Sequence, residues 1–216
     1  MARGVFSRTL GGCVVVFLFA ALAMGQEYHR FNFSAGAGVS FPTADASGNF
    51  NTGWNMDFRG GINVDRNLLA DVDFSYNYWG LTNAALARFG QPGGYSDVWS
   101  LTFAPEIRVA PASKFDPYVI VGAGVYHRAL ALTQPANVQT IFCDPFFGYC
   151  YPAIVGVNQV VASFSTYKGG FNGGGGFEVR LGSSGMKVFA EARYNEMFTS
   201  RGPNLSYLPL TFGVRW

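Results

Sequence analysis

The chain has 216 residues, of which 49% are hydrophobic, 17% aromatic and only 13% charged. Its 15 basic and 13 acidic side chains nearly balance, which argues against a nucleic-acid partner, because such proteins present a strongly positive surface. Three cysteines and two histidines occur without a metal-ligand spacing, so we expect neither a metal site nor a cofactor.

The first residues predict a secretory signal peptide. A positively charged start is followed by an apolar run from Val14 to Ala23 and by a small-residue cleavage site. We therefore expect a signal peptide over residues 1–25 and one exported domain over residues 26–216, with an uncleaved membrane anchor as the alternative. The predicted leader holds two arginines and no acid, so the exported part has thirteen basic and thirteen acidic residues.

From Phe31 onward, apolar and polar residues alternate, which is typical of β-strands with two unlike faces. In FNFSAGAGVSF, Phe31, Phe33 and Val39 share one face, whereas Asn32 and Ser34 lie on the other. Seven further segments repeat this pattern. The eight predicted strands span residues 31–41, 54–64, 68–78, 98–109, 118–128, 171–181, 187–195 and 207–216.

The charges of these strands all fall on the less apolar face, which is also rich in glycine. Bulky aromatic residues such as Trp54, Tyr78 and Trp99 collect near the strand ends of the apolar face. A β-sandwich or lipocalin would bury the apolar face, whereas a transmembrane barrel turns it towards lipid and encloses the polar face. The charges predicted to line such a lumen are Asp57, Arg59, Asp71, Asp73, Glu106, Arg108, Arg128, Glu178, Arg180, Lys187, Glu191, Arg193 and Arg215.

The links between the predicted strands alternate between long and short. Outer-membrane barrels have this pattern, with long extracellular loops and short periplasmic turns. A strand of about ten residues with a rise of ~3.3 Å and a tilt of ~40° spans about 25 Å, the height of the apolar band. We therefore predict an all-β fold, an eight-stranded antiparallel transmembrane β-barrel with a polar interior.

The last residues, LPLTFGVRW, combine an apolar stripe with a terminal aromatic residue. Together with strands such as PYVIVGAGVYHR and VFAEARYN, this ending is similar to that of the small OmpA/OmpX-type outer-membrane β-barrel proteins, which usually end in Phe. The resemblance covers the chain after the leader. It implies a Gram-negative-type outer membrane as location, and outer-membrane lipid and the outer-membrane assembly machinery as partners. The residues implied as the assembly signal are Leu210, Phe212, Val214 and Trp216.

The third long link contains CDPFFGYC, and an even pair of cysteines in an exported chain predicts a disulfide between Cys143 and Cys150. The bridge would stiffen an exposed loop. Alternatively, the loop presents its aromatic residues to an extracellular ligand, because conformationally fixed aromatic side chains are good anchors. The following residues, 154–165, are predicted to extend the barrel as a hairpin. The aromatic residues of the loop are Phe142, Phe146, Phe147, Tyr149 and Tyr151.

These features favour a monomeric barrel with a structural or surface-interaction, adhesion-like role and no enzymatic activity. The alternative is a narrow ion-conducting pore, although an eight-stranded barrel is barely wide enough for its own side chains. A lipid-modifying enzyme is the third possibility. It needs a serine beside a histidine base, and no serine lies two positions after His127 on the same strand face.

Overall fold

A computed structural model of the protein describes residues 31–182, 185–200 and 202–216. The predicted signal peptide lies outside these residues. The strands are β1 (Phe31–Thr43), β2 (Gly53–Asn63), β3 (Leu68–Gly80), β4 (Gly93–Arg108), β5 (Phe115–Cys143), β6 (Cys150–Arg180), β7 (Lys187–Met197) and β8 (Leu205–Arg215). A helix, α1 (Asn83–Phe89), and a 3-10 turn (Ala44–Ala46) lie in the links. Within the described ranges, none of the helices has the length and apolar character needed to cross a membrane.

The eight strands close into a barrel. Each strand pairs antiparallel with the next, and β8 pairs with β1. At this seam the backbone N–H of Phe33 donates to the carbonyl of Trp216 at 3.0 Å, and the N–H of Trp216 donates back at 2.9 Å. Closure satisfies the backbone groups that lipid cannot hydrogen-bond. The predicted eight-stranded antiparallel barrel is confirmed.

The two faces of the barrel wall differ as the alternation predicts. Phe58 and Phe103 point outward and are 51% and 58% exposed, whereas their strand neighbours Arg59 and Thr102 point inward and are buried. This is the arrangement of a barrel whose outer face contacts lipid and whose interior is polar.

Strands β5 and β6 are much longer than predicted, with 29 and 31 residues. The last residue pair between β4 and β5 is Gly93 with Thr133, and beyond it β5 and β6 pair with each other. Residues 134–159 thus form a two-stranded projection, which we call the hairpin arm. Residues 154–165 extend the barrel as predicted, but they form one strand of the hairpin, β6, and β5 is the other. The predicted strand limits at residues 128 and 171 were too narrow. Alternation weakens there because both faces of the arm meet water rather than one face meeting lipid.

Helix α1 in the second long link was not predicted. The side chain of Thr82 caps it by accepting the N–H of Ala85 at 3.2 Å, and Gly90 ends it in a left-handed conformation with φ of 63°. Ala85 packs into an apolar cluster that includes Phe50 and Leu81. Seven residues are too few for a helical periodicity to stand out from a loop.

Inward glycines of β6 make room for the side chains that fill the barrel. A Cβ added at Gly174 would lie 2.2 Å from the carbonyl oxygen of Ala192, and one at Gly176 would lie 2.7 Å from the hydroxyl of Tyr118. The run NGGGG in β6 therefore allows close packing inside the barrel, as strand glycines often do.

Candidate functional site

Arg59 lies at the centre of a charge network in the barrel interior. Its guanidinium contacts Asp57 at 3.3 Å, Glu106 at 3.2 Å and Glu191 at 3.0 Å, and its Nε lies 3.5 Å from Asp73. The Arg59 side chain is fully buried. Four carboxylates around one guanidinium require further positive charge, because buried charges are tolerated only when paired.

Arg193 supplies part of that charge from β7. Its guanidinium pairs with Asp73 and Glu191, and its Nε lies 3.0 Å from the Glu191 carboxylate. The hydroxyl of Tyr118 donates to the same carboxylate at 2.8 Å. Each carboxylate oxygen of Glu191 therefore has at least one donor, which stabilises a charge buried in this way.

Arg215 supplies positive charge to the carboxylates at the end of the lumen where the short links lie. It binds Glu106 through two hydrogen bonds of 2.7 Å, the bidentate geometry in which arginine–carboxylate pairs are strongest, and it also pairs with Glu178. Lys187 contacts Glu178 at 2.7 Å. Arg108 lies within 4 Å of Glu106, Glu178 and Asp116. These contacts join the rim of the barrel to the network around Arg59.

The structure thus brings most of the predicted lumen charges into one connected network. Asp71 lies beside it and accepts a hydrogen bond of 3.0 Å from the amide of Asn32. Arg128 and Arg180 lie outside it. Arg128 sits near the opposite end, where its Nε donates to Ser96 and its guanidinium stacks over Phe50, and Arg180 is exposed at the short-link end. The predicted charges joined by ion pairs are Asp57, Arg59, Asp73, Glu106, Arg108, Glu178, Lys187, Glu191, Arg193 and Arg215.

Two members of the network, Asp116 and Tyr118, are not among the lumen residues predicted from the sequence. The fifth predicted strand begins at residue 118, but Asp116 belongs to β5 and is buried next to Arg108. Continuing the inward even-numbered positions of β5 back from Gly122 would have placed both residues in the lumen.

Apolar side chains fill the lumen towards the long links. Trp79 and Tyr207 pack edge to face with ring centroids 5.0 Å apart, and the Trp79 indole donates to the carbonyl of Ser40 at 3.2 Å. They belong to one buried cluster with Val98, Tyr126 and Met197. Below this cluster, a cavity of about 10 Å³ beside Glu191 and Arg193 has room for at most one water molecule. Packed side chains therefore fill the middle of the lumen, where the charged network meets the apolar cluster.

A group of aromatic side chains lies on the lipid-facing surface at the end of the barrel where the long links lie. The rings of His127 and Tyr167 lie 4.4 Å apart, and Trp99 stacks on His127 at 5.3 Å. Such groups form the girdles that sit at the membrane–water boundary of outer-membrane barrels. The packing partners of His127 are thus aromatic rings of the girdle.

The hairpin arm ends in a disulfide-closed turn. Cys143 and Cys150 are bonded, which confirms the predicted disulfide. Within the turn, the Asp144 carboxylate accepts the backbone N–H groups of Phe146 at 2.7 Å and Phe147 at 3.1 Å. Phe146 is 87% exposed and Tyr149 is also exposed, whereas the side chain of Phe142 lies outside the described part of the structure. The turn holds aromatic side chains in water on a fixed backbone.

The hairpin arm is also nearly free of charge. From Ala129 to Tyr167 the sequence contains one charged side chain, Asp144, which hydrogen-bonds within the turn. Beyond Thr133, no strand of the described residues pairs with the outer edges of the arm. The arm therefore combines open backbone edges with an almost uncharged surface.

A closed barrel of eight strands with a lipid-facing apolar wall and a charged, packed interior defines an integral outer-membrane β-barrel protein. The chain belongs to the outer membrane protein beta-barrel domain family, whose sequence profile matches residues 11–216. The resemblance to small OmpA-like barrels is therefore confirmed, and the chain is an outer-membrane protein of the Gram-negative type.

Solved structures of outer-membrane proteins share the fold. Neisserial surface protein A (NspA) aligns over 88% of this chain and 98% of its own, with 14% identity and a TM-score of 0.58. A major outer membrane protein from Thermus thermophilus aligns over 87% of this chain and 99% of its own, with 11% identity and a TM-score of 0.51. No curated protein matches the sequence. At these identities the likeness shows the fold alone.

Proposed function

We propose that this protein is a surface-interaction protein, with the barrel as a membrane anchor and the hairpin arm as the part that contacts an extracellular ligand or surface. The observation that carries this proposal is the arm itself, a strand pair that continues for ten residue pairs beyond β4 and ends in exposed aromatic side chains. At ~3.3 Å per residue, ten residues project about 33 Å from the barrel. Long links of outer-membrane barrels lie on the extracellular side, where such a projection meets other surfaces.

The packing of the lumen supports an anchor rather than a pore. An ion path would have to open both the ion-pair network around Arg59 and the apolar cluster around Trp79. Breaking one partner away from a buried ion pair costs about 3–5 kcal/mol, so opening the network by thermal motion is rare. Because His127 packs against aromatic rings and lies on the lipid-facing side, its surroundings favour a boundary role over that of a catalytic base.

We also propose how the chain is exported and assembled. Residues 1–25 direct secretion and are removed, and the terminal stripe is the signal for the assembly machinery. Phe212 and Val214 point outward from β8, where another protein can reach them before the barrel meets lipid, whereas Arg215 next to them points inward. The stripe comprises Leu210, Phe212, Val214 and Trp216.

A truncated variant tests the role of the arm. Residues 134–159 are replaced by an Asn-Gly turn that joins Thr133 to Val160, a sequence that favours a tight hairpin. The full chain and the variant are produced at matched levels in the outer membrane of a bacterium with truncated lipopolysaccharide, and cell retention on polystyrene is measured. We expect the variant to lose retention while keeping the heat-dependent gel shift of a folded barrel. A matched control is Lys114→Gln, which alters an exposed charge at the opposite end of the barrel.

Equal retention with and without the arm would contradict the proposed contact role. Conductance across a planar lipid bilayer tests the anchor role separately. We expect no stepwise current from the full chain, and steady single-channel steps would replace the anchor with a pore.

A further inference from the structure

We propose that the hairpin arm binds the hairpin arm of a second copy of this protein, through the open edge of β6, with the two molecules pointing towards each other. This inference names the partner of the surface that the proposed function uses, and it rests on that function. Three observations support it: the open backbone edge, the absence of charge along it, and a register that places apolar side chains opposite each other when β6 pairs with a second copy of itself.

The first observation is the length of the open edge. In the described chain, the pairing of β6 with β7 begins at Gly170, so no strand pairs with the outer edge of β6 from Ala153 to Tyr167. Exposed strand edges pair readily with another extended chain, because each new strand supplies matching donors and acceptors.

The second observation is that this edge lacks the usual protection against pairing. Natural edges are commonly blocked by charges or prolines. From Ala153 to Tyr167 the sequence AIVGVNQVVASFSTY contains neither. A charged glycan or a strongly charged peptide would find no ionic partner on this edge, whereas a second copy brings an equally uncharged one.

The third observation is the register. β6 runs from the tip of the arm towards the barrel, so two arms that point at each other bring their β6 edges together antiparallel. A two-fold axis at Val157 places Val157 opposite its own copy and Ile154 opposite Val160, and opposed residues share a face in such a pair. Val157, Ile154 and Val160 are all exposed. The contact is closed and symmetric, so it yields pairs rather than open rows.

Charge placed at the two-fold axis tests this geometry. The protein is inserted into lipid nanodiscs that hold one barrel each, which prevents side-by-side contact within a membrane. Particles of one and two discs are counted by mass photometry. We expect two-disc particles for the full chain. Val157→Lys or Val157→Glu should weaken pairing roughly tenfold, because like charges then lie directly opposite each other.

An equimolar mixture of the Val157→Lys and Val157→Glu proteins should restore pairing, because opposite charges then meet. The control is Thr140→Lys, which adds the same charge to β5, away from the β6 edge, and should leave pairing unchanged. Formation of the Cys143–Cys150 disulfide in each variant reports that the arm is intact.

Two-disc particles that form equally well with Val157→Lys, or a mixture that fails to pair, would overturn the inference. Full-chain discs that remain single while arm truncation still abolishes cell retention would also overturn it, and that pair of results would leave the proposed surface role standing. In that case the arm binds a different partner, such as an extended peptide of another protein.

Discussion

The barrel interior and the hairpin arm represent opposite extremes of charge within one chain, and β6 runs through both. In its barrel half, β6 has a partner on each side and contributes Glu178 to a dense ion-pair network. In its arm half, it has one partner and no charged residue between Ala153 and Tyr167. The barrel satisfies its polar groups internally, as lipid demands, whereas the arm leaves its backbone edge available to a partner.

The barrel wall and the hairpin arm also differ in what surrounds their exposed valines. Val72 on the barrel wall is 51% exposed and Val138 in the arm is 46% exposed, yet the first faces lipid and the second faces water. Exposure alone therefore does not distinguish an anchoring surface from a contact surface. The surrounding medium, lipid or water, distinguishes the two surfaces. Substitutions in each region can therefore be expected to have different effects on stability.

Removing the centre of the network should have the largest effect. Arg59→Met leaves Asp57, Glu106 and Glu191 without a common partner, and loss of one member of a buried ion pair costs about 3–5 kcal/mol. We expect a correspondingly lower free energy of unfolding, measured by urea titration of the protein in lipid vesicles. Arg59→Lys, which keeps the charge, should recover part of the loss. Equal stability of Arg59→Met and the unaltered chain would show that the network does not hold the barrel together.

Arginine substitutions at Val72 and Val138 should give the next largest difference in stability. Val72→Arg places a charge on the lipid face of β3 and should destabilise the barrel by about 2–4 kcal/mol, the range for arginine near the centre of a bilayer. Val138→Arg adds the same side chain to the arm in water and should change stability by less than about 0.5 kcal/mol. The same urea titration measures both variants. Similar losses at the two positions would mean that the arm, too, lies in lipid.

The barrel was predictable from sequence because its two faces meet different media, which enforces strict alternation. Val72 and Asp73 reveal opposite faces by residue type alone. The arm has water on both sides, so its residues carry no such constraint and its strands were underestimated. Helix α1 is held by its Thr82 cap and by the packing of Ala85, which are three-dimensional contacts that seven residues do not reveal.

The interior charges were predictable as a set but not as a network. Period two places Arg59 and Arg128 on the same face, but only the stagger of the closed barrel decides that Arg59 meets Glu191 while Arg128 lies near the apolar cluster. Pairings between residues more than a hundred positions apart depend on strand register, which a single sequence does not show.

Two glycines within β6 offer a matched test with a smaller effect. A Cβ at Gly174 meets the backbone of β7 at 2.2 Å, whereas a Cβ at Gly156 has its nearest neighbour at 3.9 Å. Gly174→Ala should therefore cost about 1–3 kcal/mol through overpacking, and Gly156→Ala should be close to neutral. Urea titration in vesicles distinguishes them. A neutral Gly174→Ala would indicate that the barrel wall can widen without loss.

The smallest effect on the barrel should come from removing the disulfide with Cys143→Ser and Cys150→Ser. In the chain-entropy account, a bridge between residues seven positions apart contributes about 2–3 kcal/mol, but here it constrains only the arm. Since isolated two-stranded hairpins are marginal in water, the arm should open while the barrel stays folded. Hydrogen exchange should become at least roughly tenfold faster for arm amides such as those of Val138 and Val155, because each 1.4 kcal/mol changes an equilibrium tenfold. The urea midpoint of the barrel should remain unchanged. If the urea midpoint of the barrel falls when the arm amides lose their protection from hydrogen exchange, the arm and the barrel unfold as one unit. The division of the molecule into an anchor and a contact surface would then fail.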